Sequence, residues 1–222
     1  MNRLLKILFF ALVVKPVVFF CLGLNVFFKA RLPRTGAAII VANHNSHLDT
    51  MVLMSLYPLL SIHRIRPVAA ADYFLSNRFL AWFSLNIIGI IPIKRRAGSA
   101  HSTLFDECHN ALNNGDILVL FPEGSRGAPE QMSELKRGVH HLIKSRPTLN
   151  VAPVFLHGLG RALPKGEALL VPFNCDVVIG EPIAFVDDAK QYIHNVGKAL
   201  SLLEAQCLTR QCAVTDDQQR ES

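Results

Sequence analysis

The run Asn43-His-Asn-Ser-His-Leu-Asp49 follows an apolar stretch, Gly36 to Ala42, that reads as a buried strand. Its His44 and Asp49 are spaced HxxxxD. With the imidazole at the strand's end and the carboxylate in the first turn of the next helix, the two can converge. Asp49 then holds one ring nitrogen and leaves the other as a base, the arrangement needed to take a proton from a hydroxyl. The same spacing recurs at His101 and Asp106, but within a helical stretch. There, five residues turn the chain about 140° past a full turn, so the side chains diverge.

His47 offers a rival chemistry. His44-x-x-His47-x-Asp49 is a depleted HxHxDH metal run, with Asn45 where a His is needed and Thr50 after the acid. His140, His141 or His157 would have to complete such a site, and the result would be a metal-dependent hydrolase.

Three further segments carry chemistry. Gly89-Ile-Ile-Pro-Ile-Lys-Arg-Arg96 ends a short strand in three cations. Lys94, Arg95 and Arg96 suit a phosphate, which Arg can grip at two oxygens, although a solvated basic turn has the same look. Phe121-Pro-Glu-Gly-Ser-Arg-Gly127 follows the strand Asp116-ILVL. Ligands gather at such strand ends, glycines let backbone amides approach a phosphate, and Arg126 adds charge. It is not a nucleophile elbow, because Glu123 stands where GxSxG needs glycine, so Ser125 is set aside as a covalent nucleophile. Val151-Ala-Pro-Val-Phe-Leu156 has Pro153 inside an apolar strand, as expected at a sheet edge or a bulge.

Apolar runs alternating with helical patterns must position these segments. Strands are expected near 36–43, 67–71, 90–93, 116–122, 150–156 and 175–180. Helices are expected near 48–57, 79–86, 99–113, 133–144 and 187–207. This alternation predicts an α/β domain with a mixed, largely parallel sheet flanked by helices. Its span is 31–212, with a polar tail over 213–222. At 222 residues, half of them hydrophobic and with mean hydropathy +0.30, the chain is one cored domain rather than a disordered scaffold. Five scattered cysteines without a CxxC suggest a reduced, cytosol-facing chain.

Charge separates the N-terminus from the rest. The net +6 resides in residues 1–48, which hold six basic residues and no acid; residues 49–222 hold seventeen of each sign. A cationic excess confined to an apolar segment points to an anionic membrane surface rather than to nucleic acid. Residues 4–28 would make a helix of about 37 Å, enough to span a bilayer. Lys15-Pro16 in its middle favours a broken helical hairpin entering one leaflet, with a single tilted span as the alternative. Residues 1–30 are thus read as a membrane-associating segment.

In order and content, the four blocks resemble the lysophospholipid/glycerol-phosphate acyltransferase family, in particular bacterial 1-acyl-glycerol-3-phosphate acyltransferases. NHNSHLD matches its NHxSxxD block and FPEGSRG its third block; GIIPIKR and VAPVFL resemble the second and fourth. Pro92 departs from the bulky apolar residue often found there. The resemblance covers roughly residues 30–160. It implies that acyl-CoA or acyl-carrier protein donates a fatty acyl group to the free hydroxyl of a lysophospholipid. The default acceptor is 1-acyl-glycerol-3-phosphate, giving phosphatidic acid; glycerol 3-phosphate or a lyso-ornithine lipid remain alternatives. It also implies His44 as base and Asp49 as its orienting acid. Lys94, Arg95, Arg126 and the Gly124 amide would bind phosphate, and Glu123 and Ser125 would orient the loop or substrate. Neither cofactor nor metal is expected, and the enzyme would work at the cytoplasmic face of the inner membrane.

Overall fold

The computed structural model describes residues 2–46, 48–74, 77–93, 104–125, 131–162 and 173–210. The apolar runs become strands: β1 (Leu22–Phe27), β2 (Ala38–Ala42), β3 (Ile65–Ala70), β4 (Ile91–Ile93), β5 (Ile117–Leu120), β6 (Asn150–His157) and β7 (Phe173–Ile179). They form one sheet in the order β1-β7-β6-β2-β5-β3-β4. The five strands from β6 to β4 are mutually parallel. β7 runs antiparallel to β6, and β1 runs parallel to β7. β2 and β5 are buried along their whole length because both sheet faces are covered.

One face is covered by helix α6 (Asp106–Asn113), helix α7 (Gly138–Ile143) and helix α9 (Ala189–Glu204). Their apolar stripes, among them Leu112, Leu142, Val196 and Leu200, close a core with Ile39, Val41 and Leu118. The other face is covered by the N-terminal segment and helix α3 (Leu48–Ser55).

The N-terminal segment departs from expectation. It is not a hairpin. Helix α1 (Arg3–Phe9) runs through a π-helical turn, Phe10–Val14, into helix α2 (Lys15–Cys21) without a break. Pro16 would collide with the carbonyl four residues back in a regular helix. Here the preceding turn is wide, with the Lys15 N–H reaching back five residues to the Phe10 carbonyl, and the ring is accommodated. Phe10, Val14 and Val18, all buried, hold both halves to the same sheet face, so residues 3–27 share the core of the rest. No helix among the described residues is long and apolar enough to cross a membrane. Residues 22–27, read as part of the apolar helix, instead form edge strand β1, a seventh strand beyond the six expected.

Pro153 is likewise neither at an edge nor in a bulge. It lies in β6, paired with Val41 of β2, one residue before the β7 ladder begins at Val154. Its carbonyl accepts the Gly180 N–H at 2.8 Å, so its missing donor falls where β7 has already ended and costs no ladder bond.

Candidate active site

β2 ends at Ala42, and the chain leaves the sheet through Asn43. The Asn43 side chain stands in for the next rung of the ladder. Its Nδ2 donates to the Leu156 carbonyl at 2.8 Å, and its Oδ1 accepts the Leu156 N–H at 2.7 Å. Both backbone groups of Leu156 are thus satisfied while the main chain turns away to present His44.

His44 and Asp49 meet as their spacing requires. His44 Nδ1 lies 2.9 Å from Asp49 Oδ2. That oxygen also accepts the N–H groups of Asn45 at 2.7 Å and Ser46 at 2.8 Å, so Asp49 braces the loop that carries His44. Asp49 is fully buried at the start of α3. Burial pushes its carboxyl above the ordinary value, while the His44 ring and the two backbone donors pull the other way. With Nδ1 directed at the acid, Nε2 is the ring nitrogen left to meet a substrate.

Two contacts of His44, one on its ring and one on its backbone N–H, were not signalled by spacing. The Phe121 ring stacks on the imidazole, with centroids 4.1 Å apart and planes 19° from parallel. Glu123, only 2 % exposed, accepts the His44 backbone N–H on Oε1 at 2.8 Å. Its Oε2 accepts the backbone N–H of Ser133 at 2.8 Å and the Ser133 hydroxyl at 2.6 Å. Glu123 therefore ties the loop after β2 to the loop before α7. That draw on Ser133 keeps 131–136 irregular, and the helix expected from 133 begins at Gly138.

Gly124 takes a left-handed φ of +73°, which glycine adopts without strain. Its N–H donates to the Phe121 carbonyl at 3.0 Å, closing the turn. This turn engages the amide that was expected to face a phosphate. A Cβ at Gly124 would lie 2.9 Å from Lys136 Nζ, so Lys136 brings to this turn a cation that no motif indicated. Ser125 is exposed. Lys94, Arg95, Arg126 and His47 lie outside the described residues. His140 stacks on Phe185 in the core, and His157 Nδ1 lies 2.6 Å from the Thr209 hydroxyl; neither joins His44. Among the described residues no three His, Cys, Asp or Glu side chains converge as a metal site would need.

The acyltransferase family profile matches residues 23–157, more than half of the chain. The chain belongs to the acyltransferase family. Among curated acyltransferases, a chloroplastic 1-acyl-sn-glycerol-3-phosphate acyltransferase of Arabidopsis thaliana is 27% identical over 147 residues, 66% of this chain and 39% of its own length. The Helicobacter pylori (strain J99) protein of that name is 31% identical over 123 residues, 55% of this chain and 49% of its own. The chain thus spans about two-fifths to a half of the length of the first curated acyltransferases it matches. The crystal structure of the 1-acyl-sn-glycerophosphate acyltransferase PlsC from Thermotoga maritima superimposes with a TM-score of 0.69 over 91% of this chain and 81% of that one. At 17% identity it shares the acyltransferase fold.

Proposed function

We propose that this acyltransferase moves a fatty acyl group from acyl-CoA or acyl-carrier protein to the free hydroxyl of a lysophospholipid. Its acceptor is 1-acyl-glycerol-3-phosphate and its product phosphatidic acid. The observation that carries the reading is the His44–Asp49 pair at 2.9 Å on a loop held from both sides. The names of the relatives support the choice of acceptor.

His44 Nε2 takes the proton of the acceptor hydroxyl as its oxygen attacks the thioester carbonyl. The tetrahedral intermediate collapses, the C–S bond breaks, and the leaving thiolate takes the proton back from the imidazolium. Asp49 holds the ring and stabilises its charged form, and Phe121 fixes the ring plane. A thioester has a good leaving group, so no protein nucleophile is needed; holding both substrates together supplies much of the rate. Lys94, Arg95 and Arg126 bind the acceptor's phosphate, joined by Lys136. The lipid acceptor is drawn from an anionic membrane surface on which the N-terminal helix rests, at the cytoplasmic face of the membrane.

Purified protein supplied with mixed lysolipids and with acyl-CoA or acyl-carrier protein is expected to yield phosphatidic acid by lipid mass spectrometry. Product from another lysolipid alone replaces the acceptor assignment; no product from any pairing removes the reaction. A chelator is expected to leave the rate unchanged, whereas loss of activity together with stoichiometric bound metal would favour a hydrolase using His44, His47 and Asp49.

A further inference from the structure

Beside α1, helix α5 (Arg78–Phe83) continues through a π-helical turn, Ser84–Ile88. The two run antiparallel. The Asn2 N–H donates to the Asn86 carbonyl at 3.3 Å, and the Phe9 and Phe83 rings meet edge to face at 5.2 Å. Each turns an apolar stripe outward. On α1 and its π-helical turn, Leu4, Leu8 and Leu12 are 65 %, 44 % and 72 % exposed; on α5 and the turn that continues it, Phe79, Trp82 and Leu85 are 75 %, 50 % and 37 % exposed. Six large apolar side chains on two adjoining helices form a patch of the kind that marks an interaction surface.

The charge around it selects the partner. Residues 1–93 hold nine Lys and Arg but two acids, Asp49 and Asp72; Lys6 and Asp49 are buried, which leaves eight cations against one acid. Exposed Arg3 and Arg78 lie at the N-terminal ends of α1 and α5. A second copy of this chain would set these cations against themselves. An anionic bilayer takes the apolar side chains below its headgroups and the cations at its phosphates, with tryptophan at the interface. The patch also reaches the catalytic end of the sheet. α5 follows the C-terminal end of β3, the end at which β2 delivers His44, and the N-terminal helix rises toward that end, where β1 begins.

We propose that α5 and the π-helical turn that continues it are a second bilayer-docking element, which through Phe79, Trp82 and Leu85 joins the N-terminal helix in seating the protein on an anionic membrane. This rests on the membrane association in the preceding reading and adds a part of the domain distant from the N-terminus in sequence.

Trp82 is the sole tryptophan of the chain, so it reports on α5 directly. The protein is mixed with vesicles of phosphatidylcholine containing phosphatidylglycerol. Trp82 emission is expected to move to shorter wavelength and to be quenched by lipids brominated in their acyl chains, and both effects should weaken in pure phosphatidylcholine. Phe79→Ser with Leu85→Ser is expected to weaken vesicle partitioning about tenfold at an unchanged Tm. If that variant melts early, the Trp82 signal of the unsubstituted chain still decides. Co-sedimentation with unaltered Trp82 emission overturns the role of α5 and leaves the N-terminal helix as the docking element. Absence of co-sedimentation removes membrane association and this proposal together. A dimer in vesicle-free buffer with Trp82 already shielded assigns the patch to a second copy and also overturns it.

Discussion

Two of the places where ionisable side chains are buried are treated differently by the molecule. At the C-terminal ends of β2 and β5, Asp49 and Glu123 each receive three hydrogen bonds, most of them from backbone N–H groups of the loops they organise. Near the start of β3, Lys6 is fully buried by α1, its Nζ donating to the Ile65 carbonyl at 2.9 Å. Burial and the nearby Arg66 push its pKa down to about 7, against a weaker upward pull from Asp116. Hydrogen-bond donors ring both carboxylates, although burial still pushes the Asp49 carboxyl above its ordinary value; the Lys6 amine, likewise buried, is pushed toward its neutral form. The first region is built to hold an imidazole in one orientation. The second pins a helix to the sheet through a group that is easily left neutral.

Substitutions can pull this contrast apart, and the largest effect belongs to the imidazole. His44→Ala is expected to lower the rate of acyl transfer by about a thousandfold or more with the fold retained, because Asp49 keeps the Asn45 and Ser46 N–H groups that brace the loop. Initial rates with 1-acyl-glycerol-3-phosphate and acyl-CoA check this; an undiminished rate would remove His44 from the mechanism. Asp49→Asn should reduce kcat by about 10²- to 10⁴-fold with a small change in KM. The amide presents a donor where three donors now converge. Glu123→Ala strands the His44 and Ser133 N–H groups and is expected to cost about 2–4 kcal/mol of stability. It should also depress kcat more than it raises KM, since no substrate contact is lost; thermal melts and steady-state rates together test it.

The smallest effect lies in the second region and appears as a slope. Between about pH 7 and 10.5 the unfolded chain keeps a proton on Lys6 that the folded chain has released. Stability therefore rises with pH through that window, and below it the whole penalty remains. Lys6→Met should flatten the rise of Tm between pH 7 and 9.5 relative to the unsubstituted protein. An identical slope would mean that Lys6 keeps an ordinary pKa in the folded state.

Much of this organisation is legible in the sequence because it rests on local pattern. The strands at β2 and β5 are uninterrupted apolar runs bounded by glycine or polar residues, as strands covered on both faces must be. The His44–Asp49 convergence follows from a strand end meeting a helix start. Helix α9 announces itself by periodicity, and in the structure the Asp188 carboxylate caps its start by accepting the Gln191 N–H at 2.6 Å. What escaped reading depends on neighbours remote in sequence. β1 carries no local stop signal within a long apolar stretch; it is a strand because β7 offers it an edge. Pro16 breaks a helix by rule, yet a wide turn absorbs it because Phe10, Val14 and Val18 are all gripped by one core. The stack of Phe121 on His44, the Asn43–Leu156 pairing and the approach of Lys136 to Gly124 join segments that only the parallel sheet brings together.

The junction between α2 and β1 has a mechanical consequence. Cys21 ends the helix and Leu22 begins the strand, with no intervening residue to act as a hinge. With Phe10, Val14 and Val18 packed into the core beneath the sheet, the junction leaves the sheet little room to swivel against its N-terminal helix. Whatever support the helix rests on therefore dictates the tilt of the whole domain, and the height of His44 above that support is set by rigid geometry rather than sampled by a tether.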